Sequence, residues 1–258
     1  LAQDIKIFEI ELVAADNALA VAVDASRRLF GSELADVLQA LTAATEMPIQ
    51  LWWKAIKNGQ FSRIDGGEEG LFFGVKGDIQ VNFEPGQFIQ VNDTINRRMI
   101  DQMLALTSSE RTGVAVDLYC GSGNLSLPLS QHFTKVIGVE GLATLVSAAV
   151  KNASNNGVEN AQFLVADLND AKSLKKVSKL TSSIDLIVLD PPRSGAAAIM
   201  PWVAKSGAKQ IIYISCHPST MVRDAEFLMR AGYKCNDVGV MDMFPHTAHV
   251  ESIALFEK

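Results

Sequence analysis

Cys216 closes an apolar, β-branched run, Gln210-Ile-Ile-Tyr-Ile-Ser-Cys-His-Pro218, and Asp190 closes an earlier one inside Ile187-Val-Leu-Asp-Pro-Pro-Arg193. Both runs read as buried strands of a parallel sheet, and open α/β sheets bind ligands at the carboxyl edge of their strands. A thiol and a carboxylate at one such edge describe a nucleophilic site. Pro218 suits a first helical position, followed by Ser219, Thr220 and an apolar-periodic run to Met229. A helix N-terminus carries partial positive charge that favours thiolate, so the Cys216 pKa is expected to fall. Taken alone, a free cysteine is as readily a small buried hydrophobe. Cys120 and Cys235 lack such neighbours and read that way, Cys120 packed beside a glycine-containing loop and Cys235 as strand filler.

That loop is the second constellation. The run Val114-Ala-Val-Asp-Leu118 delivers Asp117-Leu-Tyr-Cys-Gly-Ser-Gly-Asn124. Gly121 and Gly123 allow a tight turn and close backbone approach to a ligand at the start of a helix, and Glu140, ending the next strand, is placed for ribose hydroxyls. A nucleoside cofactor is implied. Ser126 stands where a dinucleotide fingerprint needs its third glycine, so a phosphate-free adenosyl ligand fits better than NAD. Asp167, closing the third strand run, is available to an adenine amino group, with Tyr119 and Asn124 lining the floor. Alternatively Asp167 only caps a helix.

The elements that must hold these residues come in two blocks, 1–88 and 89–258. In the second, strand-like runs at Val114–Leu118, Val136–Glu140, Gln162–Val165, Asp185–Asp190, Gln210–Ile214, Val238–Met241 and Ser252–Phe256 alternate with helical stretches such as Ala143–Asn155 and Ile199–Lys205. This reads as a mostly parallel, helix-covered α/β sheet finished by an antiparallel last strand, entered through an amphipathic helix over Thr94–Leu106. The first block reads as a small α+β domain. Lys6–Leu12 and Ala18–Val23 alternate as strands with one exposed face, Ser32–Ala44 is helical, and Leu71–Val75 and Ile79–Phe83 flank a Lys-Gly-Asp turn. Trp52 and Trp53 are expected to brace this domain, and Gly66–Gly70 is a loop.

With 258 residues, 48% apolar and 20% charged, the chain has an ordinary globular composition, which excludes disordered and collagen-like classes. No apolar run approaches the roughly eighteen residues of a membrane span, and no basic head precedes an apolar core at the start, so no membrane partner and a cytoplasmic location are expected. The three cysteines lack metal-type spacing and are expected to be reduced, with no metal site. A net charge of −6 argues against a strongly basic nucleic-acid clamp without excluding RNA. The chain opens on Leu1, which suggests a trimmed chain or a fragment.

Phe88-Ile-Gln-Val-Asn92, Asp117–Asn124, Asp190-Pro-Pro-Arg-Ser-Gly195, Tyr213-Ile-Ser-Cys-His-Pro-Ser-Thr220 and Met243-Phe-Pro-His-Thr-Ala-His-Val-Glu251 occur in that order. Together they resemble the S-adenosylmethionine-dependent RNA 5-methyluridine methyltransferase family, from about residue 86 to the end. The resemblance implies a class I, Rossmann-like methyltransferase sheet with Cys216 as nucleophile and Glu251 as base. Gln90, Tyr119, Gly121, Asn124, Glu140, Asp167 and Asp190 would then surround S-adenosylmethionine, and Phe88, Gln90, Asp190 and Arg193 the target base. The Phe-Pro-His-Thr tract resembles members that act on 23S ribosomal RNA, and a monomer is expected. Many members carry an oligonucleotide-binding barrel and a four-cysteine iron–sulfur cluster upstream. Every cysteine here lies at or beyond Cys120, so neither the cluster nor a full accessory module is expected in this chain.

The implied chemistry needs these residue types. Thiolate addition to uracil C6 makes C5 nucleophilic toward a sulfonium methyl, and a base must then remove the C5 proton so that the thiol leaves. Arg193 stands where amino-group methyltransferases of this fold usually carry an aromatic residue. His246 and His249 either order the loop before Glu251 or touch RNA phosphate, and Phe88 either stacks on an extruded base or is buried. Two other readings stay open: a nucleotide-cofactor oxidoreductase, and a non-catalytic RNA-binding relic.

Overall fold

The structure, a computed structural model, describes residues 4–55, 59–107 and 112–258. The chain forms two compact units, Leu1–Gly74 with Asn82–Ile89, and Val75–Val81 with Gln90–Lys258.

In the smaller unit β1 (Ile7–Ala14), β2 (Leu19–Ala25), α1 (Ser32–Ala44), β3 (Ile49–Lys54) and β4 (Ser62–Arg63) follow one another, and the strands lie side by side in that order. β2 pairs antiparallel with β1 and parallel with β3, which makes it central. Its alternation of alanine and valine predicts one solvent-facing side, and the structure corrects this. Ala18, Ala20 and Ala22 pack with Trp52, Leu71 and Phe83, while Val21 and Val23 pack with Leu51, Trp53 and the α1 residues Leu34, Val37 and Leu38. The alternation sorts small from larger side chains because both faces are covered. β3 is not announced by the sequence, since Gln50-Leu-Trp-Trp53 is buried on both sides and shows no polar period. Its indoles are tied in: Trp52 Nε1 donates to Gln50 Oε1 at 3.2 Å and Trp53 Nε1 to the Arg27 carbonyl at 2.8 Å. The hairpin of β5 (Leu71–Lys76) and β6 (Ile79–Phe83) divides its residues between the two units.

The larger unit begins with α2 (Asp93–Ala105), whose first turn is capped by Asn92 accepting from the Ile95 amide at 3.2 Å. There follow β7 (Val114–Leu118), α3 (Ser126–Leu129), β8 (Lys135–Glu140), α4 (Ala143–Asn155), β9 (Ala161–Val165), a 3-10 turn (Ala171–Leu174) continuing into α5 (Lys175–Ser178), β10 (Leu186–Leu189), α6 (Met200–Lys205), β11 (Gln210–Ser215), α7 (Pro218–Arg230), β12 (Lys234–Met241) and β13 (Glu251–Glu257). The sheet order is β12-β13-β11-β10-β7-β8-β9, parallel except that β13 runs against both its neighbours. Residues alternate between faces along each strand. Val116, Leu118, Ile137, Val139, Ile187, Leu189, Ile211 and Tyr213 build one core with α6 and α7, and the opposite face lies against α3 and α4. Burial on both faces is why the parallel strands read as nearly unbroken apolar runs. Among the described residues no helix is long and apolar enough to cross a membrane.

Gly138, mid-strand in β8, shows how closely one face is packed. A Cβ there would lie 2.5 Å from the Phe163 ring and 3.0 Å from Cys120 Sγ. Gly138→Ala is therefore expected to destabilise the chain by roughly 1–3 kcal/mol through overpacking, read as a lower urea midpoint at unchanged slope. An unchanged midpoint would show that the two neighbours can yield freely.

Candidate active site

β7 and β10 are neighbours in the sheet although β8 and β9 come between them in sequence. At such a switch point the loops leaving the two strands diverge and open a crevice at their carboxyl ends. The loop after β7 and Asp190 after β10 both emerge there.

In the β7 loop the amides of Tyr119 and Cys120 both donate to the Val139 carbonyl, at 2.9 and 3.1 Å, and Tyr119 takes a left-handed φ of 67°. Gly121 has φ +55° and a Cβ added to it would meet nothing within 4 Å, so the loop opens onto free space. Glu140 sits at the tip of β8, with Oε2 accepting from the Gly121 amide at 3.3 Å and Oε1 from Gly141 and Leu142 at 2.7 and 3.0 Å. Asn124 exchanges two hydrogen bonds of 2.9 Å with the buried Asn96 of α2, which commits its carboxamide to holding the loop. Asp167 is exposed beyond β9 and accepts from the Asn169 amide at 2.8 Å. The cap of the following 3-10 turn is Asp170, which overturns the alternative reading of Asp167 as a helix cap. Burial first, then the charges of Asp224, Glu140 and Asp167, pushes the Tyr119 phenol up to about 12.

Sequence reasoning gave Asp117 no role, and the structure puts it beneath the site. It is fully buried, its Oδ2 accepts from the Ser126 hydroxyl at 2.5 Å, and its Oδ1 has no partner. Burial, with the charges of Asp190 and Glu140 added, raises its pKa to about 7. The available signal was a lone acid inside an apolar strand, since a carboxyl is rarely buried without a reason. Ser126 does more than block a dinucleotide fingerprint, because its hydroxyl anchors that acid.

The second cluster lies toward β13. β13 runs antiparallel to β11 with Ser252 opposite Ser215, so Glu251 at its head comes level with Cys216 just past the tip of β11. Glu251 is 3% exposed and its Oε1 has no hydrogen-bond partner. Burial, then the Asp190 charge, pushes its pKa to about 8. Asp190 Oδ2 accepts from Gln90 Nε2 at 3.4 Å, and burial raises this carboxyl to about 6. The Cys216 thiol is shifted upward, by burial first and then by Glu251 and Asp190, while the hydrogen bond and charge of Arg193 pull the other way. This corrects the expected low pKa. α7 does begin at Pro218, but burial and two carboxyls set the direction.

The remaining residues are more dispersed. Phe88 belongs to the smaller unit and is 77% exposed, so it is no core residue. His246 has φ 66°, and the His249 ring stands edge-on to Phe244 with centroids 6.0 Å apart, in the connection leading to Glu251. Cys120 is buried beside Gly138, whereas Cys235 is exposed on β12. Among the described residues no three His, Cys, Asp or Glu side chains are grouped to hold a metal ion. An open groove lined by Val150, Phe163 and Leu180 lies on the α4 and β9 side and contains none of these residues.

Asp117, Glu140, Asp167, Asp190 and Glu251 thus come to one sheet edge. Carboxyls grouped in this way disfavour a pyrophosphate, an arriving cation such as a sulfonium would draw Asp117, Asp190 and Glu251 toward their ionised forms, and the loop at Gly121 beside Glu140 is open. This sheet order, with a glycine loop after the first strand of the sheet and an acid ending the second, defines a class I methyltransferase fold. The tRNA (Uracil-5-)-methyltransferase family profile matches residues 4–258, and the chain belongs to that family. It is 47% identical over 181 residues to the 23S rRNA (uracil(1939)-C(5))-methyltransferase RlmD of Alkalilimnicola ehrlichii, covering 70% of this chain and 40% of that protein. The RlmD of Vibrio vulnificus is 38% identical over 249 residues, 96% of this chain and 55% of its own. The chain therefore spans about half the length of the curated relatives it matches. Among solved structures, the tRNA (uracil-54, C5)-methyltransferase of Pyrococcus abyssi in complex with S-adenosyl-L-homocysteine aligns with a TM-score of 0.72 at 22% identity, over 93% of this chain and 56% of that one.

A carboxyl with a raised pKa keeps its proton in the folded chain at pH values where the unfolded chain has lost it, so stability falls as pH rises through that window. For Glu251 the window runs from 4.5 to about 8. Glu251→Gln keeps the shape and removes the titration. Its melting temperature is expected to match the unaltered chain near pH 5 and to exceed it by several degrees near pH 8.5. A difference independent of pH would contradict the raised pKa.

Proposed function

We propose that this chain carries the catalytic unit of an RNA uridine C5-methyltransferase that uses S-adenosylmethionine, acts on 23S ribosomal RNA and works as a cytoplasmic monomer. The observation that carries the reading is the register of β11 and β13, which brings a thiol and a buried, unpartnered carboxyl to one sheet edge. The RNA named for the curated relatives supports the choice of substrate.

In this reading Glu140 takes the ribose hydroxyls of the donor, Asp167 the adenine amino group, and Tyr119, Gly121 and Asn124 form the floor. Gln90 and Asp190 lie between donor and target base. When bound, S-adenosylmethionine supplies an electrophilic sulfonium methyl group. The chain's task is to make uracil C5 reactive and later to restore the ring. Cys216 thiolate adds to C6, which breaks the C5–C6 double bond and moves its electrons into an enolate whose nucleophilic carbon is C5. Arg193 steadies the thiolate and contacts the base, and the exposed ring of Phe88 is available to stack on a base of the RNA. Once C5 carries the methyl group, Glu251 removes the C5 proton, the double bond re-forms and the thiolate leaves. A pKa of about 8 suits that duty, because a general base works best when its pKa lies near the operating pH.

Both Cys216 and Glu251 must be unprotonated and both are shifted upward, so kcat/KM is expected to rise with pH from neutral toward pH 9. A flat profile there would count against the pair.

The direct test supplies tritiated methyl donor and a uridine-containing 23S RNA fragment to the unaltered chain, Cys216→Ala and Glu251→Gln. Free labelled RNA is expected only with the first, Cys216→Ala should give no label, and Glu251→Gln should lose about 10²–10⁴ in turnover while accumulating labelled RNA covalently bound to the protein. Label that survives loss of the thiol overturns the mechanism. Label absent from all three, with RNA still bound, favours a non-catalytic relic, and calorimetric binding of NAD in place of the methyl donor favours an oxidoreductase.

A further inference from the structure

Tyr213, Arg223 and Asp224 have no part in the chemistry above, yet they form a closed network around the residues that do. Asp224 lies in α7 and is fully buried. Its Oδ2 accepts from the Ala196 amide at 2.6 Å and from the Tyr213 hydroxyl at 2.7 Å, and its Oδ1 accepts from Arg223 Nε at 2.9 Å. Arg223 in turn donates from Nη2 to the Ser194 carbonyl at 2.9 Å. Two adjacent helix residues thus grip the main chain on either side of Gly195. That glycine has φ +76°, and a Cβ on it would lie 2.5 Å from Arg223 Nη2 and 2.6 Å from Asp224 Oδ2, so no side chain fits between loop and clamp.

The gripped segment closes a turn, with the Gly195 amide donating to the Pro192 carbonyl at 2.8 Å, and Arg193 stands at its tip. The other ends of the network flank Cys216: Tyr213 belongs to β11, which ends one residue before the thiol, and α7 begins at Pro218. A helix seated only by packing would need Met221 and Leu228, which are buried in the core, and no carboxylate. Burying a charge costs several kcal/mol unless its partners are well placed, so a charge held by donors from the helix, strand and loop has a positioning use.

We infer that Asp224, together with Arg223, is a positioning residue that fixes the Pro192–Gly195 turn relative to β11 and α7 and so presents Arg193 to Cys216. The inference rests on Cys216 being the reacting thiol. The charged groups acting on that thiol are Glu251 from β13, Asp190 at the end of β10 and Arg193 from the turn. Of these, only Arg193 favours thiolate. A turn released from its clamp leaves the thiol to two carboxyls.

The test reads the thiol itself and needs neither RNA nor methyl donor, so its failure is distinguishable from failure of the methyltransferase assay. In the chain with Cys235→Ser, alkylation of Cys216 by iodoacetamide is followed by mass spectrometry across a pH series. Arg193→Met and Asp224→Asn are each expected to slow alkylation near pH 7.5 roughly three- to tenfold and to move its midpoint upward, since an opposite charge within a few ångströms shifts a pKa by about one unit or more. Arg223→Met should act in the same direction and less. Asp224→Asn combined with Arg193→Met should be no slower than Arg193→Met alone. Unchanged alkylation in Asp224→Asn, or a combined loss equal to the product of the single losses, overturns the proposal. Should Asp224→Asn fail to fold by circular dichroism, Arg223→Met, alone and combined with Arg193→Met, decides by the same criterion.

Discussion

The antiparallel pairing of β13 with β11 is the constraint on which the site depends. Five parallel strands present only their carboxyl ends at the loop edge, so a parallel neighbour for β11 would deliver a strand end there and no strand beginning. Running the last strand backward lets the first residue of β13 meet the level of the last residues of β11. A slip of one residue would turn every side chain of β13 to the other face and so take Ala254 and Phe256 out of the core cluster they pack in. The position of Glu251 is thereby set by the core residues Ile253, Ala254, Leu255 and Phe256 rather than by its own contacts.

Electrostatics follow from that placement. Three carboxyls at or beneath the edge, Asp117, Asp190 and Glu251, are all raised, to about 7, 6 and 8, with burial the first cause in each. They also act on one another, Asp190 on both Asp117 and Glu251, so a cation arriving at the edge would ease all three together. The thiol is raised by burial and by two of these carboxyls, Glu251 and Asp190, and Arg193 opposes them.

Much of this was legible in the sequence, because parallel strands buried on both faces leave apolar runs that turn residues punctuate. All seven strands of the large sheet were readable, and the residues that end β7, β8, β10 and β11 stood out as polar breaks after apolar stretches. β3 was not readable, since Leu51-Trp52-Trp53 is buried without period. Asp224 was hidden for another reason: an Arg-Asp pair in an amphipathic helix looks like a solvated face until the loop that covers it is known. The direction of the Cys216 titration was equally out of reach. It depends on burial and then on Glu251 and Asp190, which are far from the thiol along the chain and brought near it only by the sheet order.

Tyr119 carries one more consequence. A tyrosine in the left-handed region is disfavoured by about 1–2 kcal/mol, and the strain is held in place by two successive amides sharing the Val139 carbonyl. Glycine would relax the backbone there and would forfeit the ring. Under the proposed role of this ring as a floor for the methyl donor, durability and binding pull the position in opposite directions, and a search for hardier variants of the chain would drift toward glycine at 119 unless ligand affinity were selected alongside.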